Sequence, residues 1–155
     1  MEFAFKPRYR VGSLFATCAT VFAGMILPLA AARAAELTVE KTDGGVAVKH
    51  GGQLFAEYLT HSGNKPAVWP IIGPNGKPVT RAWPMDESAS GEAHDHPHQR
   101  SLWFTHGDVN GIDFWSQLPG AGSTVHREFV KTEGGPQAVI VTNNDWLAPD
   151  GKKVL

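Results

Sequence analysis

Regularly spaced two-residue turn signals between short alternating runs constrain this chain more than any other feature. Asp43-Gly44-Gly45, Asn110-Gly111 and Asp150-Gly151 each supply residues that accept the positive φ of a tight hairpin. Leu37 to Lys41 and Val46 to Lys49 alternate on either side of the first turn, and Gln53 to Leu59 and Gln137 to Thr142 read as further strands. Asn75-Gly76 lies between Ile71-Ile72 and Val79-Thr80, where Pro74 and Pro78 restrict any pairing to a sheet edge. No convincing amphipathic helix follows Ala35. The pattern predicts an all-β fold, an antiparallel β-sandwich or barrel.

The N-terminal stretch obeys different rules. Lys6, Arg8 and Arg10 precede a run without a charge from Val11 to Ala32, and Ala32-Arg33-Ala34 presents small residues as a signal peptidase requires. Residues 1–34 are therefore expected to be a signal peptide with a helical apolar segment, and 35–155 the exported domain, periplasmic or secreted. An uncleaved anchor is the alternative, because the run is just long enough to span a bilayer. Cys18, the only cysteine, falls inside this stretch, so the exported domain has neither disulfides nor thiolate ligands. Without residues 1–34 the chain keeps ten basic and fourteen acidic side chains, a formal charge of −4. With no basic stripe, nucleic acid is not an expected partner. After residue 34 no apolar run reaches the roughly 18 residues that a membrane helix needs. The last residues, Lys153 to Leu155, look like the start of a return strand, and the domain is expected to be truncated at its C-terminus.

Candidate chemistry concentrates between His94 and Asp113. A hairpin around Asn110-Gly111 would oppose Val109 to Ile112, Asp108 to Asp113 and His106 to Trp115. Alternation would then put Trp103, Val109, Ile112 and Phe114 on a core face, and His106, Asp108, Asp113 and Trp115 on the other, with Phe104 nearby. Two opposed aspartates repel unless a metal ion, a cation or a shared proton offsets them. In an extended chain His94, His96 and His98 would project to one side about 6–7 Å apart, a spacing at which neighbouring imidazoles can ligate one divalent metal ion. His106, Asp108 and the distal His126 have the ligand types of a two-histidine, one-carboxylate site. Alternatively His96 or His98 would act as general acid or base while Arg81 or Arg100 binds an anion. Solvent-exposed carboxylates and structurally bonded histidines are the bland alternative throughout.

The run Gly73 to Arg81, then Pro84-Met85, then Asp95 to Trp115, with His126-Arg127-Glu128-Phe129 beyond it, resembles the bacterial exported family labelled methane oxygenase PmoA-like, over about residues 65–130. Members usually read His-His-Arg-Gly where this chain has His98-Gln99-Arg100-Ser101. The resemblance implies a large β-sandwich akin to the supersandwich of sugar mutarotases, and a chain longer than 155 residues.

The expected function is an exported carbohydrate-active protein. His96, His98, His106 and Asp108 would carry acid–base or metal-assisted chemistry, and Arg81, Arg100, Trp103, Asp113 and Trp115 would contact a sugar or other small ligand. His94, His96, His98, His106, Asp108 and His126 are the candidate metal ligands. A non-catalytic metal- or sugar-binding module is the second expectation, and a copper or iron oxidase, following the family label, the third.

Overall fold

The computed structural model describes residues 2–5 and 36–155. Among these residues seven strands form two antiparallel sheets: β1 (Glu2–Phe5), β2 (Leu37–Lys41), β3 (Gly45–His50), β4 (Gln53–Ser62), β5 (Lys65–Ile71), β6 (Ser123–Glu133) and β7 (Ala138–Leu147). Their order is β2-β3-β4-β5 in one sheet and β1-β7-β6 in the other. Among the described residues no helix forms, so none is long and apolar enough to cross a membrane. The predicted signal segment lies outside the described residues except for Glu2–Phe5. Those four pair as an edge strand with Ala138 to Val141.

The turns behave as their residues dictate. Asp43-Gly44 closes β2 on β3 through paired hydrogen bonds between Thr42 and Gly45, and Leu37 to Lys41 register against His50 to Val46. The Asn75-Gly76 turn joins an isolated Ile72–Pro78 bridge, the edge pairing that two prolines permit. Asp150-Gly151 returns the chain so that Val154 donates to the Trp146 carbonyl. Two strands escape the pattern. In β5, Pro66 and Pro70 look like breakers, yet one side of β5 pairs with β4 and the other carries, among the described residues, only an isolated Val68–Leu102 bridge. In β6, irregularities between His126 and Glu128 and between Phe129 and Lys131 disrupt the two-residue period.

Both sheets contribute to one apolar core. Leu37, Val46, Val48, Ala56, Tyr58 and Val68 of the first sheet pack with Ala138 and Ile140 of the second, and Phe129 closes one side. Strands β3 and β4 approach closely at Gly45, where an added Cβ would lie 1.9 Å from the Tyr58 carbonyl oxygen. Backbone cannot yield there without breaking the β3–β4 ladder. Gly45→Ala is therefore expected to lower stability by about 3 kcal/mol or more in urea denaturation. The sheets leave residues 72–122 as an irregular excursion from the end of β5 to the start of β6, and the candidate residues other than His126 lie there.

Candidate functional site

The turn between β4 and β5 anchors the excursion. Lys65, 1% exposed, donates from Nζ to the carbonyls of Phe114 at 3.0 Å and Trp115 at 2.7 Å. Its neighbour Asn64 donates from Nδ2 to the carbonyls of Ser116 at 2.9 Å and Gly122 at 2.8 Å. Four backbone acceptors that would otherwise need water are thus satisfied from a strand end. From the other side, the Asp113 carboxylate accepts from the backbone N–H groups of Trp115 and Ser116 and from Ser116 Oγ. These bonds, the Ser116 hydroxyl first, hold the Asp113 carboxyl below its ordinary pKa. Phe114 points inward, 1% exposed, with its ring 4.8 Å from Trp146. Trp115 points outward, 43% exposed.

A line of rings runs across this surface. Trp115 lies 6.1 Å from His98 and 5.6 Å from Trp103, and His98 lies 5.9 Å from His96, all measured between ring centroids. Burial is the main influence lowering the pKa of His98, and the nearby His96 and Lys65 add to it. The His98 imidazole is accordingly neutral at pH 7. Arg100 lies two residues further along and donates to Ser62 Oγ at 3.2 Å and to Gln117 Oε1 at 3.3 Å.

The other expected residues are elsewhere. His94 stacks on Trp83, at 4.1 Å and 6° between planes. Arg81 is engaged by Asp95 at 2.6 Å, and the same carboxylate meets His96 Nδ1 at 2.9 Å. The three histidines do not share one side because the chain is not extended: His96 has φ 44°, and Gln99 N–H donates back to its carbonyl. His126 lies between the sheets, its ring 4.4 Å from Phe129 and its Nδ1 3.5 Å from Tyr58 Oη.

The hairpin expected at Asn110-Gly111 is correct only at its tip. Asn110 and Gly111 have φ 54° and 80°, and Val109 and Ile112 exchange both hydrogen bonds. Pairing stops there, so Asp108 and Asp113 do not form an opposed pair. Asp108 Oδ1 caps Gly111 N–H at 2.7 Å, and the Asp113 carboxylate turns the chain at Ser116. His106 Nδ1 contacts the Asp108 carbonyl at 2.8 Å rather than the Asp108 carboxylate. Local turn capping thus replaces the carboxylate–imidazole cluster. Among the described residues, no three His, Cys, Asp or Glu side chains are arranged to hold a metal ion. The expected ligands His94, His96, His98, His106, Asp108 and His126 are thus not brought together as one group. Lys65 and Asn64 are the anchors that sequence reasoning missed, since a lysine before a proline carries no mark of burial.

The sequence model of DUF6807, a family of unknown function, matches residues 45–155. The chain belongs to DUF6807. The DUF6807 match runs from β3 to Leu155 and includes the whole ring surface and its anchors. It overturns the methane oxygenase PmoA-like resemblance, since no family of that kind is detected. The copper or iron oxidase expectation loses the label it rested on. No curated protein and no solved structure matches this DUF6807 chain.

Proposed function

We propose that the chain is a carbohydrate-binding β module, exported through its N-terminal segment, whose two sheets form a sandwich carrying the ring surface. The observation that supports this most is the exposure of Trp115 at the centre of the line His96–His98–Trp115–Trp103. An indole face held outward by a rigid backbone offers the C–H face of a pyranose a flat, negatively polarised partner. The flanking imidazoles supply hydrogen bonds for hydroxyl groups. The shared core of Val46, Val48, Ala138 and Ile140 favours the sandwich.

A second reading, acid–base catalysis on the bound sugar, has one observation in its favour. His98 is kept neutral beside Trp115, the protonation state that a general base needs.

Titration of a saccharide panel by calorimetry, with tryptophan fluorescence in parallel, tests the binding reading. Trp115→Ala is expected to weaken binding by about 2 kcal/mol, roughly 30-fold, while the melting temperature hardly moves. Binding that survives this substitution, or no binding by the native chain, would remove the proposal. Incubation of bound sugars with the His98→Ala variant separates the readings: a module loses affinity only, an enzyme loses turnover.

A further inference from the structure

Arg100 is a cation without an anion. Among the described residues it makes no ion pair. Its two side-chain partners, Ser62 Oγ and Gln117 Oε1, are neutral and lie at the long end of hydrogen bonding. Its Nε is buried with no hydrogen-bond partner. The guanidinium packs over Gly63, where an added Cβ would meet Nε at 2.5 Å. Arg81 has the opposite fate, with Asp95 held against it at 2.6 Å.

The surroundings deepen the imbalance. Lys65 is buried close enough for its charge to act on both Arg100 and Asp113. Asp113 is the opposing charge that acts on Lys65, and its carboxylate also accepts from the Trp115 and Ser116 N–H groups and from Ser116 Oγ. The one carboxylate that acts on this pair therefore balances Lys65, and Arg100 has no carboxylate of its own among the described residues. Partly desolvated charge is costly unless paired, so the arrangement has room for one further negative group.

Its position identifies what that group would belong to. Arg100 meets Gln117 two residues along from the contact between His98 and Trp115, and Gln117 Nε2 also donates to the Pro97 carbonyl at 3.3 Å. The segments 97–100 and 115–117 therefore run side by side, with the guanidinium next to the ring surface. We propose that the ligand of this surface is an acidic saccharide, and that Arg100 pairs with its carboxylate or sulfate group. The inference rests on the carbohydrate-binding reading and names its ligand class. A guanidinium fork suits either acid through paired N–H donors.

Calorimetric titration of the full chain with three matched oligosaccharides, one neutral, one of uronic acids and one sulfated, tests it. At least one acidic form is expected to bind tenfold or more tightly than the neutral one. That preference should shrink with rising salt and disappear in Arg100→Gln. Which acid is preferred identifies the group. Arg100→Lys, which keeps the charge and loses the fork, should retain part of the preference and controls for folding. Equal binding of all three by the native chain, or an acid preference that Arg100→Gln leaves intact, overturns the inference and leaves the carbohydrate-binding reading standing. Failure to bind any of the three overturns both.

Discussion

Lys65→Ala is expected to destabilise the protein by about 3–5 kcal/mol and to free the indole of Trp115, seen as lost near-ultraviolet circular dichroism before the main urea transition. The magnitude has two sources. Removing the side chain strands the Phe114 and Trp115 carbonyls, which now accept from a buried ammonium, and it leaves a hole among tightly packed strands. Lys65→Met fills the space and removes the buried charge, so it should cost about half as much.

The same lysine predicts a pH signature. Burial lowers its pKa from 10.5 to about 8. Below pH 8 the folded and unfolded chains both carry the proton, and the fold bears the full penalty of a buried charge. Between pH 8 and 10.5 the unfolded chain binds more protons than the folded one, so unfolding free energy rises with pH. Above 10.5 both states are neutral at this site. Tyr58, whose pKa burial raises, pulls the other way at high pH. The readout is therefore the difference between native protein and Lys65→Met across pH 7 to 10.5, which should narrow the gap at low pH and widen it at high pH. A constant difference would show that the ammonium is not desolvated as its 1% exposure implies.

Phe114→Ala carries the second large effect, also about 3–5 kcal/mol in chemical denaturation. The ring is buried against Trp146 at 4.8 Å and fills the space beside Gly122, where an added Cβ would meet it at 2.5 Å. Its own carbonyl accepts from Lys65 and from Thr105 Oγ1. Saccharide binding should fall along with stability although Phe114 faces away from the ring surface. Retained affinity in a destabilised Phe114→Ala protein would mean that Trp115 is held by the Asn64, Lys65 and Asp113 bonds alone.

How much of this was legible in the sequence depended on the range of the interaction. The hairpin at Asp43-Gly44, strand β4 and the return after Asp150-Gly151 follow from residues within a few positions of one another, and they are present. Phe114 inward and Trp115 outward also follow from alternation. Strand β5 was hidden because Pro66 and Pro70 argue against a strand, an argument that weakens where much of one edge needs no donors. Strand β6 was hidden by its two irregularities, which shift the apolar positions out of phase. The candidate site failed where it assumed extended chain. A positive φ at His96 and the carboxylate cap of Asp113 redirect the backbone, and neither can be read from residue spacing. Lys65 stayed invisible for a different reason: its partners are carbonyls about fifty positions away.

The bonds from Asn64 and Lys65 to the chain around Trp115 have a thermodynamic consequence for recognition. Because the carbonyls of Phe114, Trp115, Ser116 and Gly122 are fastened to a strand terminus, that stretch is immobilised during folding. A ligand of the proposed kind would then owe little ordering entropy, and weak individual contacts would suffice for useful affinity.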